Sequence, residues 1–172
     1  IQEESINSVT TEQLSLINEF ISSKDVQGLM NYINSNCDHE TTSFIFDNCY
    51  KESHDLYLNL CKEGISSKNA VAYHKYAISL IFDSNSPRYE KAIQHLKESI
   101  RLGFNFSYFL LSRLYYEVYK DKKEAFNVAE EGYKKDEKYS KCLCGYFISH
   151  GIGTKKDWIK GVSIILNSKA EH

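Results

Sequence analysis

The sequence predicts an all-α protein built as a stack of antiparallel helical hairpins. Three observations carry that expectation. Apolar residues recur at helical spacing along nearly the whole chain, the polar breaks between them are short, and small residues fall into columns repeating every 33 to 36 positions. A content of one proline and eight glycines in 172 residues argues against both a turn-rich β protein and a linker.

The first two candidate helices span residues 10–22 and 25–33, with Ser22-Ser23-Lys24-Asp25 between them. Asn34 to Glu40 is a second break, and Asp47 to Asp55 reads equally as helix or loop. Ser66-Ser67-Lys68-Asn69 is a clearer stop. A helix over 70–82 then runs into Asp83-Ser84-Asn85-Ser86-Pro87. Pro87 suits the entry to the next helix, since a missing N–H costs little in the first turn. That helix reaches Leu102 and stops at Gly103, a residue able to form a left-handed C-cap. Further helices are predicted at 105–119, 122–135, 138–150 and 157–169. Connections this short force neighbouring helices to run antiparallel.

Placed in register, the last three hairpins share four columns of small residues. Early in each first helix stand Ala72, Ser107 and Ser140, and five residues later Ala77, Ser112 and Gly145. Early in each second helix stand Ala92, Ala125 and Gly161, and seven residues later Ser99, Gly132 and Ser168. A bulky side chain where two helices cross would hold the backbones apart, so small residues belong there. Leu80, Tyr115 and Ile148 are the large residues expected to fill the space beside the crossings.

The stretch from Cys144 to Gly161 resembles the Sel1-like repeat signature, Leu-Gly-x-x-Tyr-x-x-Gly-x-Gly-Val-x-x-Asp-x-x-Lys-Ala. Gly145, Gly151, Gly153, Asp157 and Lys160 match it, while Cys144, Ile148, Thr154 and Gly161 are conservative departures. Tyr89 to Gly103 resembles the family's second-helix pattern through Tyr89, Lys91, Ala92 and Gly103. The middle hairpin keeps Glu124-Ala125 and the small columns but lacks the loop glycines. Tetratricopeptide repeats have a related period of 34; the paired loop glycines and the lone Pro87 favour the Sel1-like pattern. The resemblance implies a right-handed α/α superhelical solenoid with three repeats, at 70–104, 105–137 and 138–172. Residues 1–69 are then an N-terminal helical region of divergent hairpins. It also implies a non-enzymatic adaptor or scaffold that binds a protein or peptide on the solenoid surface, in settings such as signalling. The alternative is a regulatory or targeting segment of a larger multidomain signalling enzyme or ubiquitin-ligase complex.

No residue set argues for a metal, a cofactor or catalysis. Cys142, Cys144 and His150 lack the converging ligands of a zinc site, since Cys142 and Cys144 project about 200° apart on one helix. Cys37-Asp38-His39 with Cys49 and His54 has no orienting third group. Gly151 to Lys156 follows a helix and lacks the spacing of a phosphate-binding loop. Residues 1–69 carry 4 Lys/Arg against 11 Asp/Glu, and residues 70–172 carry 17 against 12. Such mild asymmetry can steer a partner but lacks the clustered basic face that nucleic acid requires. No apolar run is long enough to span a bilayer, so membrane insertion is not expected. The N-terminus, Ile1-Gln2-Glu3-Glu4, lacks the pattern of a signal peptide and an initiator Met, and the chain is read as a fragment or processed form. Five cysteines without a framework spacing point to the cytoplasm, a reducing compartment.

Solenoids bind through the surface that successive repeats build together, commonly the concave face of first helices. First-helix positions outside the core columns are therefore the candidate protein-binding residues: His74, Ile78, Phe109, Arg113, Tyr116, Tyr146 and His150. The last helix is apolar on more than one side, through Val162, Ile164, Ile165 and Leu166. Further repeats, a partner or an oligomer contact are expected to cover it.

Overall fold

The computed structural model describes residues 9–170, with side chains through Ser168. Its ten described helices are α1 (Thr11–Ser23), α2 (Val26–Asn36), α3 (His39–Glu52), α4 (His54–Ser66), α5 (Ala70–Ile81), α6 (Tyr89–Arg101), α7 (Ser107–Glu117), α8 (Lys122–Lys134), α9 (Lys138–His150) and α10 (Trp158–Ala170). Consecutive helices pair as five hairpins, and each hairpin packs on the next. First helices lie beside first helices, as α1 on α3, α3 on α5 and α7 on α9. The fold is all-α, a sequential stack of hairpins with an apolar core in three successive clusters.

The polar breaks work as helix caps. Asp25 accepts a hydrogen bond from the Gly28 N–H at 2.9 Å, Asp38 from Thr41 at 2.7 Å, and Asn69 from Ala72 at 3.1 Å. Each satisfies an N–H that the first helical turn leaves without a partner. The segment Asp47 to Asp55, open between helix and loop in sequence, is helical up to Glu52. Ser53 alone ends α3 and caps α4. Pro87 stands at the entry to α6, one residue before its N-cap. Arg88 takes the N-cap and sends its N–H back to the Leu80 carbonyl at 2.9 Å, which a proline at that position could not do. Gly103 has the left-handed φ of 95° expected of it.

All twelve small residues of the four columns are buried, and they meet in two kinds of crossing. Within hairpins, Ser112 Oγ donates to the Ala125 carbonyl at 2.7 Å. A Cβ added to Gly145 would lie 2.8 Å from the Gly161 carbonyl oxygen, so the two backbones nearly touch. Between hairpins, Ser107 Oγ donates to Ser99 Oγ at 2.8 Å. Gly132 is so close to α9 that an added Cβ would stand 2.5 Å from Ser140 Cβ. Gly64 of α4 faces Ala72 of α5 in the same manner, one hairpin earlier than the columns visible in the sequence.

Candidate interaction surface

The seven residues singled out in the sequence do not form one surface. His74 is a correction: it is 1% exposed and part of the core. Phe104 and Phe106, from the segment between α6 and α7, fold over its ring at 5.1 and 5.2 Å. Because Ser107 Oγ gives its proton to Ser99, it accepts from His74 Nδ1 at 2.8 Å. That bond places a proton on the ring's Nδ1. Burial, reinforced by the Lys75 charge, pushes its pKa down to about 3. Tyr116 is half-buried, 5.3 Å from the Phe147 ring, and belongs to the packing between hairpins.

Phe109, Arg113, Tyr146 and His150 do reach the surface. Phe109 is stacked among Phe106, Tyr139 and the Arg113 guanidinium, which lies 5.7 Å from its ring. Arg113 is held in place by Glu117 one turn on, at 2.8 Å. On α9, His150 packs on Tyr146 at 4.3 Å. Both pairs are spaced four residues apart, so each shares one helix face.

Ile78 lies elsewhere, in a groove of about 930 Å3 between the second and third hairpins. Asp47 and Tyr50 of α3, His54, Tyr57, Leu58 and Lys62 of α4, and Lys75, Tyr76, Ile78 and Ser79 of α5 line it. Phe82, Asp83 and Arg88 also line it. Lys75 is the unusual member. It is 8% exposed, and its ammonium donates to Asp47 at 2.6 Å. Tyr57 Oη donates to the Lys75 carbonyl at 2.8 Å, tying α4 to the groove floor. Sequence reasoning missed this site because Asp47 and Lys75 are brought together only by hairpin stacking. One signal was available: Phe82 extends the apolar stripe of α5 past the last helical turn and is left 75% exposed.

The thiols offer little chemistry. Burial raises the pKa of Cys49 and Cys61 to about 12 and that of Cys144 to about 11. Cys142 Sγ sits 3.0 Å from Ser168 Oγ. Among the described residues no three His, Cys, Asp or Glu side chains stand together as a metal site, and no helix is long and apolar enough to cross a membrane. On α10, Ile164 and Ile165 pack toward Gly145, whereas Trp158, Ile159 and Leu166 are 62%, 78% and 60% exposed.

No protein-family model matches the chain, and no curated protein matches it. Solved structures that share its fold include the following two. A Sel1 repeat protein from Oxalobacter formigenes superposes with a TM-score of 0.54 at 18% identity, over 64% of this chain and 86% of that one. The protective antigen c5321 of uropathogenic Escherichia coli, which has an SLR fold, superposes with a TM-score of 0.61 at 15% identity. That match covers 91% of this chain and 40% of the antigen. The chain therefore has the Sel1-like repeat fold.

Proposed function

We propose that this solenoid of Sel1-like repeat fold is a protein-interaction module, an adaptor or scaffold whose first-helix layer receives a protein or peptide. One observation carries the reading. Of the seven exposed aromatics among the described residues, Tyr50, Phe82, Tyr119, Tyr139 and Tyr146 stand on or just beyond first helices, and Tyr133 and Trp158 stand on second helices. Exposed aromatic side chains with a neighbouring Arg113 are the residue types that dominate binding energy at interfaces. Their concentration in one layer offers a partner aromatic contacts on several successive hairpins, which is how solenoids bind.

The test is partner capture on the immobilised full chain, with Arg113→Glu and Tyr146→Ala run in parallel. Both side chains are exposed, so the variants should fold normally. A specific partner is expected on the unmodified chain, with its retention reduced about tenfold or more by at least one variant. Equal retention by both variants would move the site off these helices. The exposed apolar face of α10 is read as a second contact, for a further repeat, a partner or another copy. Concentration-independent monomers by sedimentation, with no binding of a hydrophobic dye, would contradict that. The free state of all five cysteines supports a reducing, cytoplasmic setting; recovery of the chain from cells with oxidised thiols would oppose it.

A further inference from the structure

We infer that the groove between the second and third hairpins binds a short peptide segment carrying a large apolar side chain next to an acidic one. The apolar side chain enters between Tyr50, Tyr57, Tyr76 and Phe82, and the acidic one is directed to Lys75 and Lys62. This rests on the protein-binding reading above and adds the chemistry of the bound segment.

The first argument is the groove floor. Lys75 is more than nine-tenths buried, yet it lines an open groove. An ammonium has three N–H donors, and among the described residues Lys75 Nζ meets one acceptor, Asp47. A buried charge is costly to leave short of partners. A carboxylate arriving from the groove side supplies a charge-assisted hydrogen bond, of the stronger kind.

Charge balance gives the second argument. Asp47 is matched by Lys75 at 2.6 Å and Asp83 by Arg88 at 3.6 Å. Lys62 also lines the groove, is exposed, and makes no ion pair among the described residues. The lining is left with one uncompensated positive charge, which favours an acidic occupant and disfavours a basic one.

The rim sets the size of the occupant. Tyr50 is 59% exposed and Phe82 75% exposed, and they stand on different hairpins. Tyr50 is braced by the Tyr57 and His54 rings at 5.2 and 5.9 Å, so it offers a fixed face. An occupant that covers both rims and reaches the floor has to be longer than one side chain. A peptide segment satisfies all three requirements, with rigid aromatic area as its main source of affinity.

Random dodecapeptides displayed on phage, selected against the full chain, test this directly. The enriched consensus, synthesised with a fluorescent label, should place Phe, Tyr, Trp or Leu within two residues of Asp or Glu. Its Kd by fluorescence anisotropy should rise about tenfold or more for Lys62→Glu and for Phe82→Ser. It should stay within about twofold for Lys135→Glu, an exposed variant at the end of α8 and outside the groove. Lys62 and Phe82 are exposed, and unchanged circular dichroism will confirm that the variants fold. A consensus without an acidic residue, or binding that survives both groove variants, overturns the proposal. If the same peptide is lost with Arg113→Glu instead, the groove falls while the protein-binding reading stands. Enrichment of no sequence also overturns the groove, whereas the protein-binding reading is decided separately by partner capture.

Discussion

Inside the α9/α10 hairpin the two backbones meet at Gly145 and Gly161, with no side chain between them. Inside α3/α4 the corresponding positions, at the same offsets along their helices, hold Phe46 and Tyr57, ring against ring at 6.2 Å. Both crossings are buried, and both join helices of almost equal length. One region excludes volume from the crossing and the other fills it. The hairpin plan thus tolerates opposite packing solutions, provided that each helix can still rest on the next hairpin. That second contact is the same in both regions: Gly64 meets Ala72 as Gly132 meets Ser140. From α4 onward the shared feature of the stack is therefore the close approach between hairpins, while the approach inside a hairpin can vary.

Opposite solutions should respond to opposite mutations. The largest effect is expected at the filled crossing, where Phe46→Ala should destabilise the chain by about 3–5 kcal/mol in urea denaturation, through lost burial and a cavity. Next comes Gly145→Ala, where the added methyl meets the Gly161 carbonyl oxygen and should cost about 1–3 kcal/mol. If Gly145→Ala were neutral, the backbones would not approach as closely as described. The double variant Gly145→Ala/Gly161→Ala should cost less than the sum of the singles, because both methyls force the same helices apart.

His74 lies between the two regions and makes the junction pH-sensitive. Its folded pKa of about 3 is below the ordinary value of 6.5, so the native state resists the proton that the unfolded chain accepts. This stabilisation is complete above pH 6.5 and is lost as pH falls from there toward 3. Between pH 8 and pH 5 it should amount to about 2 kcal/mol. His95 shifts the same way, through burial and then Lys91. Stability profiles of the unmodified chain and of His74→Gln should converge as pH is lowered through this window. Parallel profiles would mean that the ring is not buried neutral.

The smallest effect tests the first-helix column itself. Ser107 Oγ is bonded on both sides, whereas Ser140 Oγ is buried without a partner among the described residues. Ser140→Ala should therefore be neutral or stabilising by up to about 1 kcal/mol, and Ser107→Ala should destabilise by about 1–3 kcal/mol, since it strands His74. Melting temperatures check this: unchanged or raised for Ser140→Ala and lowered for Ser107→Ala.

The same contrast explains what could be read from the residues alone. The last three hairpins were legible because close crossings demand small side chains, and their columns repeat in the sequence. The α3/α4 hairpin left no such trace, since Phe46 and Tyr57 look like ordinary core residues, and one column member, Gly64, makes no pattern alone. Its loop was equally hidden, because the single residue Ser53 both ends one helix and starts the next. His74 was misplaced on the surface because its cover comes from Phe104 and Phe106, outside any helical period. That Phe109, Arg113, Tyr146 and His150 reach the surface was legible from helix position, whereas Lys75 and Asp47 required the stacking of two hairpins to become neighbours.

The measurement that bears most directly on the first-helix layer as the partner surface is a hydrogen-exchange footprint of the full chain with its captured partner. Protection is expected in α3, α5, α7 and α9, around Tyr50, Phe82, Phe109, Arg113, Tyr139 and Tyr146, with α4, α6 and α8 unchanged beyond the groove-lining residues His54 to Lys62 of α4. Protection centred on α6 and α8, with the aromatic strip unaffected, would contradict it.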